Sequence, residues 1–243
     1  MRAKDNMRSG GEVLVDQLVV HGVRHAFCVP GESYLAALDA FHDRPVEMTV
    51  CRHESGAAIM AEAVGKLAGR PGVCFVTRGP GATNASPGIH IARQDSTPLI
   101  VFVGQVGREM REREAFQELD YRAVFGTIAK WVTEIDDAQR IPELVSRAFY
   151  TATDGRPGPV VVALPEDTHR PRVGRRRDGV RTDRDLARPH RHDAPAEAVM
   201  GGRAANRACR GQPLVGNGAC FADALCRAFR AAGRDHVPAW PFV

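Results

Sequence analysis

The segment Val73-Cys-Phe-Val-Thr77 is apolar at consecutive positions, without the alternation expected of a half-exposed strand. Such a run suits a strand buried on both faces, as in a parallel sheet covered by helices. Further strands are expected at His25–Val29, Val46–Val50, Leu99–Val103, Ile128–Thr133 and Val160–Leu164. Helical patterns fall between them. The first runs from Gly10-Gly11-Glu12 to a stop at Gly22, and the second from Tyr34 to Phe41 with Ser33 as its cap. Others cover Glu54–Ala68 (closed by Gly69), about Ala82 to Arg93, Tyr121–Phe125 and Gln139–Ala152. In the helix from Glu54, the expected buried set is Ala57, Ala58, Met60, Ala61, Val64 and Leu67, small enough for close packing on a sheet. Six strands alternating with helices predict an α/β fold, a mostly parallel six-stranded sheet with helices on both faces.

That pattern stops near residue 169. Residues 1–9 read as an N-terminal extension, 10–169 as the domain, and 170–243 as an irregular Arg-rich tail. The formal charge of +4 conceals this split: residues 171–243 carry 14 Arg, no Lys and 7 acids. Basic character belongs to the tail and gives no reason to expect a nucleic-acid partner for the domain. Residues 170–193 are almost devoid of apolar side chains, and 194–243 hold one short helical stretch, Phe221–Ala232. No apolar run approaches the ~20 residues of a membrane span. The polar start MRAKDNMRSGGEVL has no secretion-signal pattern, so a cytoplasmic protein without membrane contact is expected. Cysteines 28, 51, 74, 209, 220 and 226 form no CxxC pair and no metal-ligand spacing; reduced, mostly core thiols are expected.

Two features carry chemistry. Glu54 follows a strand and opens a helix; taken alone, it reads as a first-turn acid favoured by the helix dipole, worth ~0.3–1 kcal/mol. The turn Gly79-Pro80-Gly81-Ala82-Thr83-Asn84 shares two glycines with a dinucleotide fingerprint but has Asn84 at the third. No acid ends the next strand to bind a ribose, and Pro80 lacks an N–H for a diphosphate. The turn better suits a flat neutral ring, with small residues for close approach, Pro80 as a wall and the Asn84 amide. Both features belong to strand ends on one sheet edge, where ligands of open α/β sheets sit. His53 is the only histidine expected near this place. The run Arg108–Glu114 reads as a solvated charged loop, followed by Phe116-Gln117-Glu118.

The blocks GGEVLVDQLVVHGVRHAFCVPGE, CRHESGAA, FVTRGPGATN, DSTPLIVFVGQV, REAFQELD and TDGRPGPVVVALPED occur in one order across residues 10–168. Together they resemble the N-terminal, pyrimidine-binding domain of thiamine-diphosphate enzymes of the acetolactate synthase type. The resemblance implies that Glu54 is the activating glutamate. In the family that residue hydrogen-bonds the aminopyrimidine and favours the imino tautomer that takes the thiazolium proton. It also implies that Pro30, Gly31, Pro80, Gly81 and Asn84 border the pyrimidine, with Phe116 and Gln117 on the reacting, substrate side. The parent reaction would be decarboxylation of a small 2-oxo acid and carboligation to a second carbonyl, as in branched-chain amino acid biosynthesis.

Full-length members continue through a central domain into a second α/β domain whose Gly-Asp-Gly…Asn motif binds Mg²⁺ and the diphosphate. The only Gly-rich candidate here, Val215-Gly-Asn-Gly-Ala219, lacks the acid. Mg²⁺ is therefore expected from a partner domain, while any FAD site would be built mainly by the central domain. The resemblance implies half a site, completed in a homo-oligomer (dimer or tetramer) or by a separate diphosphate-binding subunit. Three readings stay open: a truncated or frameshifted synthase module, a natural split subunit of a 2-oxo acid decarboxylase, and a non-catalytic interaction domain. The Arg-without-Lys tail suggests GC-rich DNA read in a shifted frame, with a natural basic extension as the alternative.

Overall fold

The structure, a computed structural model, describes residues 7–169 and 172–174. The expected tail helix Phe221–Ala232 and the segment Val215–Ala219 lie outside the described residues. The elements run β1 (Met7–Ser9), α1 (Gly10–Val20), β2 (His25–Cys28), α2 (Leu35–Phe41), β3 (Glu47–Val50), α3 (Glu54–Ala68) and β4 (Gly72–Val76). There follow α4 (Pro80–Asn84), α5 (Ser86–Gln94), β5 (Leu99–Gln105), α6 (Tyr121–Phe125), β6 (Trp131–Glu134), α7 (Ile141–Thr153), β7 (Pro159–Pro165), α8 (Glu166–His169) and β8 (Arg172–Gly174).

Strands β2 to β7 make one six-stranded sheet in the order β3-β2-β4-β5-β7-β6, and every neighbouring pair is parallel. The expected α/β architecture is therefore the one observed. β4, β5 and β7 are buried at every position, whereas the edge strands β3 and β6 are only partly covered. Successive side chains point to opposite faces of the sheet. Ala26, Cys28, Val73, Phe75, Ile100, Phe102, Val160 and Val162 pack in one cluster with Val13, Leu14 and Leu18 of α1, Phe41 of α2 and Leu144 and Val145 of α7. Phe75 lies at its centre, stacked on Phe102 at 4.7 Å and edge-on to Phe41 at 5.3 Å. Each such pair adds about 0.5–1.5 kcal/mol beyond its area burial.

The opposite face is covered by α3 and α5 at very close range. A Cβ on Gly72 would strike the Ala61 carbonyl, and one on Gly88 would come 2.6 Å from Ala58 Cβ. The buried side of α3 is Ala57, Ala58, Ala61, Glu62 and Gly65; Met60, Val64 and Leu67 are only half-buried, against expectation. Glu62 takes the interior place because Thr97 Oγ1 donates to its Oε1 at 2.9 Å, satisfying a buried carboxylate. Gly69 closes the helix at φ 63°, as its sequence position predicts.

Several boundaries shift for local reasons. The helix expected over about 82–93 is two helices, α4 and α5. Pro87 has no N–H for the Thr83 carbonyl, and Ser86 Oγ donates to that carbonyl instead. Ser33 does not cap α2, which follows a 3₁₀ turn at Glu32–Tyr34. Its hydroxyl is engaged with Thr77 Oγ1 at 2.9 Å and accepts the Arg78 N–H at 3.3 Å. The strand expected from Ile128 begins at Trp131, after a turn in which the Ile128 and Ala129 N–H groups bond the Phe125 carbonyl. Finally, Met7–Ser9 pairs antiparallel with Arg172–Gly174 as a two-stranded sheet not foreseen in the sequence.

One consequence of the strand order positions the site. After β2 the chain passes through α2 to β3 on one side; after β4 it passes through α4 and α5 to β5 on the other. The loops leaving β2 and β4 diverge, and such a switch point opens a crevice beyond the carboxyl ends of the strands.

Candidate functional site

The crevice is walled by three backbone segments. Gly31 follows β2 and lies so near Thr77 that a Cβ there would sit 2.6 Å from Thr77 Oγ1. Gly81 meets the same threonine from above, its hypothetical Cβ being 2.6 Å from Thr77 Cγ2 and 3.3 Å from Glu54 Oε1. Pro30 and Pro80 are exposed at the rim. Glu54 occupies the first turn of α3, where His53 Nδ1 caps the helix by accepting the Ser55 N–H at 3.2 Å. The expected neighbours Gly31, Gly81, Asn84 and Glu54 are thus brought together.

Glu54 is only 9% exposed. Asn84 Nδ2 donates to its Oε2 at 3.1 Å, and Ser55 Oγ donates to the Asn84 carbonyl at 2.5 Å. These bonds lock the end of α4 to the start of α3. Among the described residues no donor reaches Glu54 Oε1, the oxygen that faces Gly81. The carboxylate is therefore oriented through one oxygen and left with acceptor capacity at the other.

The turn between β4 and α4 needs glycine at position 79. Gly79 has φ 60° and ψ −117°, and a Cβ there would come 2.7 Å from Gln117 Cβ. Its N–H donates to Tyr121 Oη at 3.1 Å, and that hydroxyl donates to the Gly104 carbonyl at 3.1 Å. Burial pushes the Tyr121 phenol up to about 12, so it stays a neutral donor. Tyr121 was not singled out by sequence reasoning; a tyrosine beginning a short helix carries no local signal of such a role.

Phe116 and Gln117 form a ledge beside this turn. Phe116 is 72% exposed, and Gln117 adopts a left-handed φ of 63°. Glu112 and Glu114, in the same loop, are left-handed too. Glu118 braces it: its carboxylate accepts the Glu112 N–H at 2.7 Å and the Ala115 N–H at 3.3 Å. The charged run is more than a solvated face. Arg108 binds Asp167 through its side chain at 2.8 Å and its N–H at 3.0 Å, while Arg111 pairs with Glu118 and Glu134. Arg78, Met110, Phe116, Glu166 and Asp167 line a cleft of about 560 Å³ that does not include Glu54.

Cys28 and Cys74 are buried, and burial pushes the Cys28 thiol up to about 11 and that of Cys74 well above its ordinary value. They are inert core thiols. Among the described residues no three His, Cys, Asp or Glu side chains gather where a metal could be held, and no helix is long and apolar enough to cross a membrane.

At the switch point of this α/β domain a nearly buried acid stands on one side and a glycine turn on the other. The sequence profile described as thiamine pyrophosphate enzyme, N-terminal TPP binding domain, matches residues 8–124, and this part of the chain is homologous to the N-terminal domain of acetolactate synthases. Among its relatives are acetolactate synthases. That of Bacillus subtilis (strain 168) is 43% identical over 158 residues, 65% of this chain and 28% of the relative. The isozyme 3 large subunit of Escherichia coli (strain K12) is 40% identical over 68% of this chain and 29% of its own. The chloroplastic protein of Arabidopsis thaliana is 39% identical over 68% and 25%, respectively. The chain thus spans about a quarter of the length of the curated relatives it matches.

Proposed function

We propose that this domain binds the aminopyrimidine end of thiamine diphosphate and activates it through Glu54, as one half of a site that another domain or chain completes. The observation that carries the proposal is the Glu54 carboxylate, nearly buried, held at Oε2 by Asn84 and reached by no described donor at Oε1. The residues fit a flat aromatic end: without a Cβ, Gly31 and Gly81 let both turns close directly on Thr77, so that backbone lies beside the Glu54 carboxylate. Pro30 and Pro80 flank it, and Asn84 orients the acid. When bound, the cofactor supplies a nucleophilic carbon and an electron sink for cleaving a 2-oxo acid. Glu54 Oε1 holds and shares the proton of a ring nitrogen, which requires hydrogen-bond distance, ~2.6–3.2 Å. Phe116 and Gln117 stand on the substrate side, where an exposed ring shields the reacting face from water.

The matched quarter of the relatives supports a module that takes its diphosphate and Mg²⁺ contacts from elsewhere. The parent chemistry by similarity is that of acetolactate synthases, decarboxylation followed by carboligation. Calorimetric titration of the chain with thiamine diphosphate and Mg²⁺, alone and with candidate diphosphate-binding chains, tests this reading. Weak binding alone and tight binding with a partner is the expected result. Tight binding by the chain alone would refute the half-site, and no binding in any combination would refute the cofactor.

A further inference from the structure

Arg78 has no part in the contacts just assigned, yet its side chain bonds three separate segments at this edge of the sheet. It follows β4, one residue before the Gly79 turn, and is only 8% exposed. Its Nε donates to the Phe116 carbonyl at 3.2 Å. One terminal nitrogen donates to Glu32 Oε1 at 3.1 Å, and the other is bonded to Glu166 Oε1. Glu32 directly follows Pro30-Gly31 after β2, and Glu166 begins α8 after β7. A single planar guanidinium thereby joins the loops after β2, β4 and β7 to the ledge.

We propose that Arg78 is a positioning residue that sets the Phe116–Gln117 ledge against the glycine turn and so fixes the mouth of the slot. The ledge needs such a tether. The Phe116 ring is held by little packing, and Gln117 carries a left-handed backbone that persists only where its surroundings enforce it. The Gln117 backbone meets Gly79 directly, so a displaced ledge would also release the turn. Only a fork of divergent N–H groups can satisfy a carbonyl and two carboxylates in these three directions; an ammonium supplies the charge without the fork. That the ledge faces substrate rests on the proposed function; that Arg78 holds the ledge does not.

The conservative variant Arg78→Lys separates positioning from charge balance, since it keeps a cation beside Glu32 and Glu166 and loses the Nε–H to Phe116. Amide hydrogen exchange of the full chain, followed by mass spectrometry without any cofactor, gives the readout. Loss of this part-buried hydrogen bond should speed exchange across 112–118 by about tenfold. Peptides from α3 and β5 should exchange as in the wild type. Wild-type protection of 112–118 in Arg78→Lys would overturn the proposal by showing that charge suffices. Faster exchange throughout the domain would overturn it too, making Arg78 a general core residue. Neither result bears on the thiamine diphosphate reading, which the calorimetric titration decides separately.

Discussion

Glu54 and Phe116 lie beyond the same edge of the sheet, and the chain holds them there by different means. Glu54 sits on the first turn of a 15-residue helix whose alanine and glycine face is pressed onto β4 and α5. Its position follows from packing of rigid elements, and one hydrogen bond from Asn84 sets its rotation. Phe116 sits in a loop with three non-glycine residues at positive φ, Glu112, Glu114 and Gln117. That loop is held by charged groups: Glu118, Arg111, Arg108 and Arg78. The slot is thus supported mainly by close packing, with the one interior carboxylate of that face, Glu62, satisfied by Thr97. The ledge is strained and electrostatically braced, closer to the part of a site that adjusts to its ligand.

The comparison is broken most severely at the acid itself. Glu54→Gln keeps the size and the Asn84 contact but cannot share a proton at Oε1. In the chain assembled with a complementing diphosphate-binding partner, turnover should fall by about 10²–10⁴-fold, the usual weight of acid–base participation. Thermal unfolding should be little changed; a variant that unfolds early would instead mark Glu54 as a structural acid of the helix start. The slot's dependence on packing predicts the next effect. Phe75→Ala removes the ring between Phe41 and Phe102 and should cost about 3–5 kcal/mol in denaturant unfolding, with slot and ledge lost together.

The same contrast explains what could be read in the sequence. β4 and β7 were legible because consecutive apolar residues have few uses other than a doubly covered strand. Gly69 and the glycines of the 79–81 turn were legible because φ and close approach restrict the choice of residue locally. Glu54 stood out as a lone acid at a strand-to-helix junction, while its assignment came from resemblance. What stayed hidden depends on partners far along the chain. Ser33 serves Thr77 and Arg78 rather than its own helix, and Arg78 reaches Glu32, Phe116 and Glu166 from 46, 38 and 88 residues away. The pairing of Met7–Ser9 with Arg172–Gly174 is likewise non-local, between segments with no strand pattern of their own. No spacing rule reports such contacts, because sequence periodicity records burial and not the identity of a distant neighbour.

A smaller change sharpens the account of the slot wall. Gly81→Ala would place a methyl 2.6 Å from Thr77 Cγ2 and 3.3 Å from Glu54 Oε1. The start of α4 must shift, at about 1–3 kcal/mol for overpacking. Stability by denaturant titration should fall by that amount, and calorimetric binding of thiamine diphosphate in the assembled protein should weaken. Unchanged binding would mean that the ring does not lie against Gly81.

The smallest expected effect belongs to the ledge and separates it from the slot by pH. The N–H of Glu112, and then that of Ala115, hold the Glu118 carboxyl below its ordinary value, with Arg111 adding to the shift. A carboxyl lowered in the folded chain stabilises it above the unfolded value and loses that contribution as pH falls through the lowered one. The brace is therefore complete at neutral pH and fails below the ordinary carboxylate range, whereas the packing under Glu54 persists. Glu118→Gln reproduces the uncharged state at pH 7, and a neutral acceptor is worth about 1 kcal/mol less than a charged one. Tryptic cleavage after Arg113, followed by mass spectrometry, should be about fivefold faster in the variant, as expected for a loop opened by that amount. Cleavage at the wild-type rate would show that the left-handed residues are held by Arg78 and Gly79 without help from Glu118.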